Sequence, residues 1–203
     1  MGCDIHLYCE RLSNKNDNPY WWCCDHFYLL PEGSYFEHAL IPLYDGRNYE
    51  LFAALADVRN RGTIEPISQP KGLPNDLSQR IREEAEEMED IAHSHSWLTA
   101  KELFVYQNRH PSITYTGLLS PEQLKAFDEC GITPKSWCQG TNMEGYERRE
   151  WTMPGSPIDY LVEKVKKRMA EIFDIYEFYE DNKKEEMYWK HADDFRIVFW
   201  FDN

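Results

Sequence analysis

Phe195-Arg-Ile-Val-Phe-Trp-Phe-Asp202 carries large apolar residues on both of its alternating sides: Ile197, Phe199 and Phe201 on one, Val198 and Trp200 with Arg196 and Asp202 on the other. Strand side chains alternate between the two faces of a sheet, so this stretch needs cover on both and belongs at a sheet centre. At the other end of the chain, Cys3 to Glu10 alternates in the same way. Cys3, Ile5 and Leu7 fall on one side, and Asp4, His6 and Tyr8 on the other. Pairing these two terminal strands puts Asp4, His6, Arg196 and Asp202 on a common face. The remaining segments read as scattered strands and separate helices without a βαβ repeat. The fold expected is therefore α+β, with a central mixed or antiparallel sheet that holds both terminal strands and is packed by several helices.

A chain of 203 residues, 42% apolar and 15% aromatic, is long enough to bury one substantial core and short for two, so residues 1–203 are read as a single domain. An aromatic-rich excursion, including Trp21, Trp22, Phe27, Tyr28 and Tyr35, occupies 11–44 and reads as a packed hairpin. Between Asn48 and Val58, Leu51, Phe52, Leu55 and Val58 keep helical spacing, and Gly62 serves as the expected stop. Pro and Gly punctuate Arg59 to Ser78 as a long ordered loop, after which Asp76 with Gln79 is the expected cap of an acidic, solvated helix. Thr99 with Glu102, and Ser120 with Gln123 ahead of Gly131, are capping-box helix starts. Ser156-Pro-Ile-Asp159 opens the longest helix, with an apolar stripe running from Ile158 to Tyr176.

A formal charge of −14 repels a phosphate backbone and disfavours direct nucleic-acid binding. The six cysteines include no Cys-x-x-Cys pair, and they read as reduced thiols. No apolar run approaches the roughly 20 residues of a membrane span, so the expectation is a soluble, cytoplasmic protein without membrane partners. Dinucleotide, Walker, zincin and nucleophile-elbow signatures do not occur in the chain.

Asp4 and His6, about 7 Å apart along one strand face, and His93 and His95, which repeat that spacing in His-Ser-His-Ser-Trp, are the candidate metal ligands. Carboxylate and imidazole are donors that divalent metals take, so a divalent metal ion is the expected cofactor. A metal-free alternative uses His6 as a base oriented by a carboxylate, and sequence does not separate the two. Arg47 and Arg61 flank the first helix, where they hold substrate charge or cap and pair with the acidic surface. Trp97 is a stacking surface for a planar ligand or a core anchor. His26, His38, His110 and His191 lie among aromatic or polar residues and are left outside the site.

Several ordered blocks, MGCDIHLYCE, RNYELFAALADVRNRG, EPISQPKGLPNDLS, HSHSWLTAKEL and DFRIVFWFDN, resemble a family of uncharacterised proteins encoded by bacteriophages and bacteria. The resemblance implies a phage or bacterial cytoplasmic setting and a recurring architecture, and it brings no activity with it. The functional expectation is a small-ligand site, metal-dependent and hydrolytic toward a phosphate-containing or nucleotide-like substrate. The alternatives are an acidic accessory protein that binds and inhibits a host protein, and a binder that sequesters a signalling nucleotide without turnover.

Overall fold

The computed structural model describes residues 2–34, 38–60, 64–138, 140 and 143–202. Along the chain the elements are β1 (Asp4–Ser13), β2 (Tyr20–Cys23), β3 (His26–Leu29), β4 (His38–Ile41), α1 (Tyr49–Ala56), α2 (Gln79–Glu87) and β5 (His93–Thr99). They continue with α3 (Ala100–Arg109), β6 (Ser112–Leu119), α4 (Pro121–Cys130), β7 (Glu147–Pro154), α5 (Asp159–Ile172), α6 (Asp181–Lys190) and β8 (Phe195–Asp202). The main sheet has the order β2-β1-β8-β5 and is antiparallel throughout. The register of β1 on β8 runs from Asp4 opposite Asp202 to Arg11 opposite Phe195, so the terminal strands pair and the fold is α+β.

Directly opposed residues in an antiparallel pair project to the same side, and the two alternations therefore become two packed faces. Ile5, Leu7, Cys9, Ile197, Phe199 and Phe201 join Leu51, Phe52 and Leu55 of α1, Leu103 and Phe104 of α3, and Leu161, Val162, Val165 and Met169 of α5 in the main core. On the other face Tyr8, Val198 and Trp200 meet Leu77 and the α2 residues Ile81 and Ala85. Every β8 residue except Asp202 is buried, as two-sided cover requires. Among the described residues no helix is long and apolar enough to cross a membrane.

The capping boxes at Thr99/Glu102 and Ser120/Gln123 both form, and Gly131 closes α4 in the left-handed conformation. Other boundaries differ from expectation. Helix α1 stops at Ala56 because Asp57 takes the left-handed conformation, its N–H returning to the Ala53 carbonyl and that of Val58 to the Phe52 carbonyl, whereas Gly62 lies outside the described residues. The N-cap of α2 is Ser78, without a side-chain cap bond. Asp76 instead accepts a bond from Arg196, a buried guanidinium whose five donors exceed what one carboxylate satisfies. Helix α5 ends at Ile172, and Tyr176 lies beyond it, exposed. The excursion is in part an extension of the sheet: β1 continues to Ser13, β2 returns along it, and β3 and β4 form a separate hairpin.

The stretch after α3, hard to read in sequence, pairs β6 with β7 over their full length. Tyr115, Trp137 and Trp151 pack ring on ring beside this ribbon, and Leu118 and Cys138 exchange backbone hydrogen bonds that hold Cys138 against β6. Gly117 makes this approach feasible, since a Cβ there would lie 2.3 Å from Trp137 Cδ1.

Candidate functional site

Asp4 and His6 leave the same face of β1, opposite Asp202 and Trp200 of β8. Here the polar side chains connect in a line. Arg47 donates from Nε and Nη2 to the two carboxylate oxygens of Asp4, at 2.8 and 2.6 Å. The Asp4 backbone N–H donates to Asp202 Oδ1 at 3.1 Å, and Asp202 Oδ2 lies 3.1 Å from His6 Nε2. The His6 and Asp202 side chains are about a quarter exposed, at 27% and 24%. The Arg47 hydrogen bonds hold the Asp4 carboxyl below its ordinary pKa. The Arg47 guanidinium lies against Gly2, where a Cβ would fall 2.4 Å from its Nη1.

The structure divides the His-Ser-His pair. His93 is opposite Phe201 while Ser96 is opposite Phe199, so β5 spends one extra residue there, and Ser94 has φ 53°. That bulge breaks simple alternation. His93 is drawn to the core side, with its ring 6.0 Å from Phe201, its Nδ1 3.0 Å from Ser94 Oγ and its Nε2 buried without a partner. His95 remains on the His6 face, and the two imidazoles flank the Trp200 indole at 5.8 and 6.1 Å between ring centroids. Burial, followed by the neighbouring His93, lowers the His95 pKa and favours its neutral form. Asp4, His6, His93 and His95 thus do not form one donor set, and among the described residues no group of three or more His, Cys, Asp or Glu is disposed to hold a metal ion.

Of the three candidate substrate contacts, Trp97 has Lys71 Nζ 4.6 Å from its ring centroid and packs with the α2 cluster. Arg61 lies outside the described residues. Arg47 lines an open cavity of about 640 Å³ whose other walls are Tyr44, Asn48, Tyr49, Glu50, Lys135, Ser136 and Trp137. Volumes of about 300–1,000 Å³ are typical of small-ligand sites. One side is the start of α1, where Asn48 Oδ1 accepts from the Leu51 N–H and thereby fixes the turn bearing Tyr49 and Glu50. The other is residues 135–137, just ahead of the Leu118–Cys138 bridge to β6, with Trp137 braced by Tyr115 and Trp151. Lys135 has no carboxylate in ion-pair range among the described residues, unlike Arg47. Sequence reading missed Lys135 and Trp137; the available signal was Gly117 inside a strand pattern, a mark of close approach.

The chain matches no family model, no curated protein and no solved structure.

Proposed function

We propose that the cavity beside Arg47 binds a small aromatic monophosphate of the nucleoside monophosphate class. The observation that carries this reading is the combination, in one cavity, of aromatic walls from Tyr49 and Trp137 with the cations Arg47 and Lys135. Aromatic faces accept a planar base, a lysine ammonium accepts phosphate oxygens, and Asn48, Glu50 and Ser136 supply polar partners for a sugar or base edge. A single phosphate fits better than a polyphosphate: Asp4 already neutralises Arg47, Glu50 sits in the same wall, and the net charge of −14 opposes further anionic charge. The His6–Asp202 pair does not line the cavity and is linked to it through Asp4 and Arg47; in a hydrolytic version of this function it would be the metal-free acid/base couple, the carboxylate orienting the imidazole.

Calorimetric titration with adenosine monophosphate, adenosine and inorganic phosphate tests the binding claim. The expected result is saturable 1:1 binding of the monophosphate, with weaker binding of each fragment. Lys135→Ala and Trp137→Ala should each weaken it about tenfold, the scale of one lost charge-assisted bond or stacking surface. No saturable binding, or binding indifferent to both substitutions, overturns the reading. Phosphate release that disappears in His6→Ala distinguishes turnover from sequestration.

One observation favours a second reading, in which the chain binds a host protein. All four residues of β3 are exposed, Phe27, Tyr28 and Leu29 among them. If that hairpin is the contact, Phe27→Ser/Leu29→Ser abolishes retention of the partner at low salt; unchanged retention excludes the hairpin.

A further inference from the structure

Behind the exposed hairpin, where β2 passes into β3, three thiols surround a buried carboxylate. Cys9 is wholly buried on β1, and Cys24 lies across from it just beyond β2, half-buried, with its N–H donating to the Cys9 carbonyl at 3.0 Å. Their Sγ atoms are 3.5 Å apart. Asp25 anchors the arrangement: Oδ2 accepts the Cys9 N–H at 2.7 Å, and Oδ1 accepts the Cys9 thiol at 3.0 Å. Cys23 is the third thiol, 3.9 Å from Asp25 Oδ2, and Arg168 Nη1 pins the Cys24 carbonyl at 2.7 Å.

We propose that Cys9 and Cys24 form a dithiol oxidised by hydroperoxides, with Cys24 as the thiol attacked first, Cys9 as the resolving thiol and Asp25 as the acceptor of the Cys9 proton. The backbone bond from Cys24 to Cys9 holds the two residues side by side, and closure brings their sulfurs from 3.5 Å to a bond of about 2.05 Å. Cys24 is the partly accessible member, and peroxide therefore reaches it first. Its sulfur attacks one peroxide oxygen, the O–O bond breaks, and Cys24 becomes a sulfenic acid with release of the alcohol, or of water from hydrogen peroxide. Cys9 sulfur then attacks the Cys24 sulfur. The S–S bond forms as the S–O bond breaks, hydroxide leaves as water, and the Cys9 proton passes through Asp25 Oδ1 to that water. The sum is two thiols and one hydroperoxide giving one disulfide, one alcohol and one water.

The buried carboxylate suits this task. Desolvation raises the Asp25 carboxyl to about 6, against the Cys9 hydrogen bonds that lower it, so near neutral pH it is ionised yet more basic than an exposed aspartate. Closure also binds the root of the β3–β4 hairpin covalently to β1.

The full-length reduced protein, treated with one equivalent of hydrogen peroxide, blocked with N-ethylmaleimide and mapped by non-reducing peptide mass spectrometry, decides the matter. The expected product is a Cys9–Cys24 linked peptide, two hydrogens lighter than its reduced parts. Asp25→Asn, which keeps the acceptor for the Cys9 N–H, should slow linkage at least about tenfold. Cys9→Ser should leave a Cys24 sulfenic acid that dimedone traps; if that variant does not fold, the map of the unsubstituted protein still decides. A Cys23–Cys24 linkage, or oxidation of Cys130 or Cys138 with Cys9 and Cys24 both still alkylated, overturns the proposal.

Discussion

Arg196 is 2% exposed, and its guanidinium is nevertheless well satisfied: Nε donates to Glu10 Oε2 at 2.6 Å, Nη1 to Asp76 Oδ1 at 2.8 Å, and Trp21 stacks beneath it at 3.9 Å. Glu10, wholly buried, also accepts the Ser78 N–H, which ties the loop before α2 to the sheet. Removing one member of such a pair strands a buried charge, so Glu10→Ala should cost about 3–5 kcal/mol in urea unfolding. A loss below about 1 kcal/mol would mean that water reaches Arg196. Asp25 makes a second, pH-dependent prediction. Its folded pKa of about 6 lies above the ordinary 3.8, so the folded state holds the proton more tightly than the unfolded chain. Its contribution is complete below the unfolded value and is lost as pH rises through about 6. Relative to Asp25→Asn, the unsubstituted protein should lose about 3 kcal/mol between pH 3.5 and 7, two pKa units at 1.36 kcal/mol each; parallel stability profiles would refute the raised pKa. At this scale the sequence showed that Arg196 and Asp202 share a face with Asp4 and His6. It did not show that Arg196 turns to Glu10 and Asp76 while Asp202 turns to His6, because that choice depends on where the loop before α2 returns.

Helix starts separate local from tertiary control. Thr99 and Glu102 cap α3 reciprocally, so Thr99→Ala should destabilise the protein by about 1 kcal/mol. Ser78, the N-cap of α2, makes no side-chain bond, and its Oγ is buried without a partner. Ser78→Ala should stay within about 0.5 kcal/mol of the parent in the same unfolding measurement. Equal losses at the two positions would show that cap identity, not the observed bonding, sets helix stability. The capping boxes were legible in sequence because the interacting residues are three apart. The α2 cap was not, because Arg196 competes for Asp76 from 120 residues away. The His93/His95 spacing misled for a related reason: the bulge at Ser94 depends on how β5 meets β8, and one extra residue moves a side chain to the opposite face.

For the molecule as a whole, the pairing of the chain's two ends was the most readable feature, since both strands carry strong period-two patterns. The cavity was the least readable. Its walls come from residues 44–50 and 135–137, which meet only because β6 and β7 pair and Leu118 holds Cys138. Gly117 is the point at which that assembly can be loosened. Gly117→Ala forces a Cβ into the Trp137 ring, and should cost about 1–3 kcal/mol of overpacking and weaken monophosphate binding together. Unchanged calorimetric affinity in that variant would remove Trp137 from the binding wall. The most direct test of the central claim follows the indole N–H resonances of the seven tryptophans while adenosine monophosphate is added. A bound ligand in the Arg47 cavity should shift Trp137 progressively to saturation and leave Trp21 and Trp97, which pack around Arg196, in place. A titration that moves no indole, or that moves Trp97 while Trp137 stays fixed, would contradict the assignment.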